Sequence, residues 1–294
     1  MAINDFLNQF SSNKPILIAG QTASGKSQLA LQIAEKKDCV IVNADAIQVY
    51  ENWRILTARP SISDEALSTH MLYGHIAAQI EYSVGRWLKD VQKILSVYPN
   101  PIIVGGTGLY FTALTNGLID IPDVPSEIRR EANNRIQNKG IGSLIGEIDP
   151  ETIKKIDTKN PMRVQRAWEV MTATGRGLVS WHNETPKPIL ELKNCETILV
   201  DGNVSFINNR INSRFEQMLN NGLLEEASKN LSTWDEKNPS SKAIGAKELI
   251  AFLNDDISIG QLKEEVLVAT RQYAKRQRTW FRSKMKSWKK YLIS

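Results

Sequence analysis

The segment that most constrains this chain is Gly20-Gln21-Thr22-Ala23-Ser24-Gly25-Lys26-Ser27, which fits G-x-x-x-x-G-K-[ST]. A short apolar run, Ile16 to Ile18, precedes it. A helical pattern follows, with Leu29, Ala30, Ile33 and Ala34 on one face. Strand, glycine loop, helix is the context in which this motif holds a phosphate. The glycines let backbone N–H groups wrap an anion, and the helix N-terminus adds partial positive charge. Lys26 supplies a full charge, and Ser27 can ligate a Mg²⁺ that bridges phosphate oxygens. The loop specifies phosphate and leaves the reaction open, because most such loops serve hydrolysis or phosphoryl transfer.

Further apolar runs at residues 39–42, 102–104 and 197–200 read as strands, and residues 82–98 read as a helix closed by Pro99. Short strands alternating with helices predict a parallel α/β sheet with helices on both faces. Between about residues 120 and 188 the strand signal disappears. Helical stretches around 126–138, 143–148 and 163–174 lie between the proline pairs Pro122/Pro125 and Pro186/Pro188. They predict an inserted helical subdomain at 120–188, between a first core part at 1–119 and a completion at 189–294. After Asp201 the pattern is helical to the end. Asp45 and Asp201 both follow strand signals where a metal-holding acid can stand, and the Gly202-Asn203 that follows makes Asp201 a turn or cap residue.

The 294 residues carry a net charge of +5, and this charge is localised. Nine basic residues and no acid lie between Arg271 and Lys290, and without them 28 basic residues face 32 acidic ones. At helical spacing Arg271, Lys275, Arg278, Arg282 and Lys289 share a face, with Tyr273, Trp280 and Trp288 opposite. A basic amphipathic helix of this kind suits a polyanion such as RNA. No apolar run approaches the roughly 18 residues that span a bilayer, and the first fifteen residues do not resemble a secretory signal. Cys39 and Cys195 read as buried free thiols, and with His70, His75 and His182 they form no zinc spacing. A cytoplasmic chain is the expectation.

Three more segments narrow the reaction: Asn43-Ala44-Asp45-Ala46-Ile47-Gln48-Val49-Tyr50, Val104-Gly105-Gly106-Thr107-Gly108-Leu109-Tyr110, and Thr270-Arg271-Gln272-Tyr273-Ala274-Lys275-Arg276-Gln277 with Thr279-Trp280-Phe281. With the phosphate loop they resemble the tRNA dimethylallyltransferase (isopentenyl-tRNA transferase) family. The resemblance continues through Thr57-Ala58-Arg59-Pro60, Asp149-Pro150, Asn160-Pro161-Met162-Arg163-Val164-Gln165-Arg166-Ala167, the segment 210–219, and Ile244-Gly245-Ala246-Lys247-Glu248. It runs nearly the full length. Gln21 stands where the family has proline, Ala46 where it has serine and Ala246 where it has tyrosine, and residues 69–74 match loosely.

The resemblance implies a P-loop NTPase-like parallel sheet with flanking helices. It implies dimethylallyl diphosphate as donor, the N6 amine of the adenosine 3′ of the anticodon in the tRNA anticodon stem-loop as acceptor, and Mg²⁺ as cofactor. Asp45 then matches the family's general base, Arg214 the arginine on pyrophosphate, and Thr107 a hydroxyl on the leaving oxygen. Tyr50 and Tyr110 read as core or wall aromatics. Expected tRNA contacts are Asp45, Ala46, Ile47, Gln48, Arg129, Met162, Arg163, Val164, Gln165, Arg166, Lys242, Lys247, Arg271, Lys275 and Arg278. A monomer with no membrane association is expected. A small-molecule kinase and a non-catalytic RNA-binding ATPase share the loop and remain the alternatives.

Overall fold

The computed structural model describes residues 13–119, 121–182 and 186–293. Residues 1–12, where no secretory signal is expected, and Asp120, where the insertion is expected to begin, lie outside them. The chain divides into two units, one formed by Met1–Thr115 with Ile189–Ser294 and the other by Asn116–Pro188.

In the first unit β1 (Ile16–Gly20) runs into the phosphate loop and α1 (Lys26–Lys37). There follow β2 (Ile41–Asn43), α2 (Ile62–Leu67), β3 (His70–Met71), α3 (Val84–Val97), β4 (Ile102–Gly105) and α4 (Gly108–Asn116). The sheet is parallel throughout, in the order β3-β2-β4-β1 and then two later strands. Ile16, Ile18, Ile41, Ile102 and Val104 bury against Leu29, Ala30, Ile33 and Ala34 of α1. Each fully buried aliphatic side chain contributes about 1.5–3 kcal/mol, so this face fixes the position of the loop between β1 and α1. At Gly105 a Cβ would overlap the Ala44 carbonyl. Only glycine allows the ends of β2 and β4 to approach this closely.

Over its described residues the regular elements of the second unit are all helices, joined by loops: α5 (Ser126–Lys139), α6 (Gly142–Ile145), α7 (Pro150–Lys155), α8 (Pro161–Thr174) and α9 (Leu178–His182). Ala132, Leu144, Ile148, Val164, Ala167 and Trp168 form its core. Asn160 caps α8 by accepting from the Arg163 N–H, and Pro161 follows at the first turn.

The chain then returns to the sheet with β5 (Glu196–Gly202), and α10 (Val204–Asn220), α11 (Leu223–Leu231), α12 (Ala246–Leu253) and α13 (Ile259–Lys284) follow. The expectation of helix to the end is corrected by β6 (Lys289–Ile293), which pairs parallel with β5. Its lysines hid it from the sequence reading. Lysines at a sheet edge deter further pairing and cost an exposed strand little. Lys289 therefore leaves the helical stripe, and its Nζ lies 3.6 Å from Glu196. Trp288 is buried and packs edge-to-face on Phe111 at 5.4 Å. Asp201 lies within β5, and its carboxylate accepts from the Gly202 N–H. Cys195 is a buried free thiol, whereas Cys39 is only partly buried. No helix among the described residues is long and apolar enough to cross a membrane.

Candidate active site

The C-terminal edge of the sheet brings the ends of β1, β2 and β4 together, the edge where open α/β sheets bind ligands. After β1 the backbone turns through left-handed conformations at Ala23 (φ 61°) and Gly25 (φ 81°). Gly25 caps α1 with no side-chain acceptor, which leaves the first N–H groups of the helix for an anion. Thr22, Ala23, Gly25, Lys26 and Ser27 line a cavity of about 440 Å³. Gly20, Gln21 and Ser24 do not line it. At Gly20 a Cβ would crowd Ser24 Oγ and the Val200 backbone, and Gln21 and Ser24 are buried.

Asp45 lines the same cavity. Its backbone N–H donates to Asn43 Oδ1 at 2.8 Å, and its own Oδ1 accepts from the Ile47 N–H at 3.0 Å. This turn fixes the carboxylate and leaves Oδ2 for a ligand. Arg214, on α10, donates from Nη2 to Thr22 Oγ1 at 2.6 Å. Burial pulls Lys26 down to about 8, against the pull of Asp45 upward, with Arg214 lowering it further. Burial likewise brings Arg214 down to about 10, opposed by Asp45 and assisted by Arg210. Both remain cationic near neutrality. Burial first, and then the Asp45 charge, push Tyr73, Tyr110 and Tyr273 upward, so these phenols stay neutral beside the carboxylate.

Ile47, Gln48, Thr57 and Ala58 form another wall. Gln48 Nε2 donates to the Thr57 and Ala58 carbonyls at 2.8 and 3.0 Å. The Glu226 carboxylate accepts from the N–H groups of Arg54, Ile55 and Leu56 and holds that loop from behind. Five cations line the cavity, Lys26, Arg210, Arg214, Lys242 and Arg276, against the one carboxylate of Asp45. An anionic ligand is the charge complement of such a surface.

Similarity to known proteins agrees with this geometry. A family model described as "IPP transferase" matches residues 48–284, and one described as "Isopentenyl transferase" matches residues 14–76. The chain belongs to the IPP transferase family. It is 52% identical to a tRNA dimethylallyltransferase of Roseobacter denitrificans, covering 95% of this chain and 99% of that one. It is 50% identical to one of Ruegeria sp., covering 97% of each. Among solved structures it is similar to the full-length tRNA isopentenylpyrophosphate transferase of Bacillus halodurans (TM-score 0.68, 27% identity, 95% of this chain and 90% of that one). It is also similar to a eukaryotic dimethylallyltransferase acting on tRNA (TM-score 0.80, 25% identity, 96% and 73%). The P-loop NTPase-like fold expected from the sequence is the fold of this family.

Several residues that the IPP transferase resemblance marked lie elsewhere than expected. Thr107 is outside the cavity wall and accepts from the Ala46 N–H at 2.9 Å, so it supports the Asp45 turn from behind. Its hydroxyl keeps one proton to donate. Val164 is fully buried in the second unit's core, and its side chain cannot contact tRNA. Beside it, Gln165 is tied to Asn133 and Glu169, Met162 and Arg163 are exposed, Arg166 is partly exposed, and Arg129 is half-buried on α5.

In the first unit Lys247 pairs with Glu236 at 2.7 Å, and Lys242 joins the cavity wall. The basic stripe of α13 is divided. Arg271 donates to Asn212 at 2.9 Å and Arg278 to the buried Gln21 at 3.3 Å, whereas Lys275 and Arg282 are exposed. The proline-to-glutamine departure at position 21 is thus met by Arg278. Tyr50 and Tyr110 are both buried, Tyr110 stacking on Trp87 at 4.4 Å. Ala246, which replaces the family tyrosine, is fully buried. Arg210 and Arg276 were not singled out as site residues. Arg210 stands four residues before Arg214, and that spacing puts both on one helix face.

Proposed function

We propose that this protein transfers a dimethylallyl group from dimethylallyl diphosphate to N6 of the adenosine 3′-adjacent to the anticodon in tRNA, releasing pyrophosphate. The observation that carries the reading is the shared cavity. The phosphate loop, Lys26 and Arg214 face the carboxylate of Asp45 across one space of about 440 Å³. The names of the relatives, tRNA dimethylallyltransferases, supply the substrate class.

The residues divide the chemistry between two substrates. The N–H groups at the start of α1, Lys26 and Arg214 bind the diphosphate. They are already in place for the negative charge that develops as the allylic carbon–oxygen bond breaks. Asp45 Oδ2 accepts a hydrogen bond from the adenine N6, orients its lone pair, and takes the proton as the new carbon–nitrogen bond forms. The target adenine swings out of its stack to reach this partly buried carboxylate.

Mg²⁺ fits the donor set. The described residues hold no cluster of three or more His, Cys, Asp or Glu that would bind a metal unaided. The Ser27 hydroxyl at the cavity wall, together with diphosphate oxygens, is the hard-oxygen environment Mg²⁺ takes. When bound, it would neutralise charge on the departing pyrophosphate. In this reading the enzyme is a cytoplasmic monomer that needs no membrane.

The test is mass spectrometry of tRNA nucleosides after incubation with dimethylallyl diphosphate and Mg²⁺. A mass gain of one dimethylallyl group on adenosine is expected. Unmodified tRNA, or ATP turnover without tRNA, would replace this reading with the kinase or ATPase alternatives.

A further inference from the structure

Gln277 is buried in the middle of the basic helix α13, five per cent exposed. A polar side chain buried this deeply needs partners, and Gln277 has one at each end of its amide. Oε1 accepts from the Thr22 N–H of the phosphate loop at 2.7 Å. Nε2 donates to the Gly106 carbonyl, just past β4, at 2.9 Å. At Gly106 a Cβ would overlap Gln277 Nε2 and come within 3.1 Å of Asp45 Oδ2, so the amide and the carboxylate crowd the same point. The next residue, Thr107, accepts from the Ala46 N–H, and its own N–H donates to the Ala44 carbonyl at 3.2 Å. One amide therefore ties the end of β1 to the end of β4, and through Thr107 to the β2 turn that carries Asp45.

We infer that Gln277 is a positioning residue for the transfer, holding Asp45 in register with the phosphate loop. The inference rests on the function proposed above. Gln277 touches neither substrate in this arrangement. Its role is to set the distance between the two halves of the reaction: the anion cradle at Thr22 and the base at Asp45. Neither hydrogen bond is needed to form either half. Thr22 is also held by Arg214, and the Asp45 turn has its own bonds to Asn43 and Ile47. What Gln277 adds to the backbone ladders of β1, β4 and β2 is a side-chain link beyond the strand ends, from Thr22 to Gly106 and through Thr107 to the Asp45 turn. A misplacement of about 1 Å at a reacting centre can cost on the order of 10²-fold in rate.

The test is a double-mutant cycle in single-turnover reactions at saturating tRNA and donor. Gln277→Met removes both hydrogen bonds at nearly constant volume. The saturated rate should fall by about 10²-fold, while tRNA affinity holds. On an Asp45→Asn background the same change should cost less than about twofold, because residues that act as a unit are not additive. A full repeat of the loss on that background, or an unchanged rate in Gln277→Met, overturns the inference. If Gln277→Met loses its circular dichroism, Gln277→Glu replaces it in the same cycle. That variant keeps an acceptor for Thr22 and loses the donor to Gly106. Absence of prenyl transfer by the unsubstituted protein would instead sink the proposed function, so the two failures are distinct.

Discussion

Arg214 Nη2 donates to Thr22 Oγ1 at 2.6 Å, across 192 residues of sequence. The guanidinium is thereby seated on the phosphate loop, and its planar fork suits two phosphate oxygens at once. Arg214→Lys keeps the charge and loses the fork. Hydrogen bonds to charged groups contribute about 1.5–3 kcal/mol each. Pyrophosphate affinity, measured by calorimetry, should therefore fall by about 10- to 100-fold. An affinity equal to the unsubstituted protein would mean Arg214 serves the loop and not the ligand.

Lys26 gives the site a pH dependence. Burial holds its ammonium at about 8 in the free protein. A bound pyrophosphate favours the charged form and raises that value, so binding takes up a proton once the free amine begins to lose it. Affinity should be full below about pH 8 and fall as the pH rises through it, by up to about tenfold per unit. The unfolded chain keeps the same proton to higher pH, so this residue opposes folding at neutral pH and less so above about 8. Calorimetry with pyrophosphate at pH 7 and pH 9 measures the slope. Lys26→Ala should bind weakly at both and show no slope.

Asp45→Asn keeps the shape of the β2 turn and cannot accept a proton. The single-turnover rate should drop by about 10²–10⁴-fold, the usual worth of a general base. Donor and tRNA affinities should change little. Rescue of the rate by raised Mg²⁺ would make Asp45 a metal-holding residue and remove it as the base.

The divided face of α13 predicts a divided salt response. Lys275 and Arg282 are exposed, whereas Arg271 and Arg278 are bonded to Asn212 and Gln21. Replacing Lys275 and Arg282 with glutamine should flatten the plot of log tRNA affinity against log salt by about 0.7–0.9 for each phosphate no longer neutralised. Replacing Arg271 and Arg278 should leave that slope unchanged. Equal slopes for both pairs would return the whole stripe to a single RNA-facing surface.

What the sequence determined by itself was everything that rests on local spacing. The residues 20–27 fit their motif wherever the rest of the chain goes, and the apolar runs before and after them fix a strand and a helix. Asp45 and Arg214 followed from segments matched to a family in order. Tertiary packing decided the rest, because it depends on what each face meets. Helical periodicity put Arg271, Lys275 and Arg278 on one side, but Asn212 and Gln21 lie beside two of them and turn those inward. The same periodicity carried Lys289 on as helix, where β5 offered an open edge that made it strand. Val164 lies between two arginine-bearing positions in a motif, yet the second unit's core takes its side chain. Gln277 reads as one polar residue in a basic run. Only the folded chain brings Thr22, 255 residues away, and Gly106, 171 away, to the two ends of its amide.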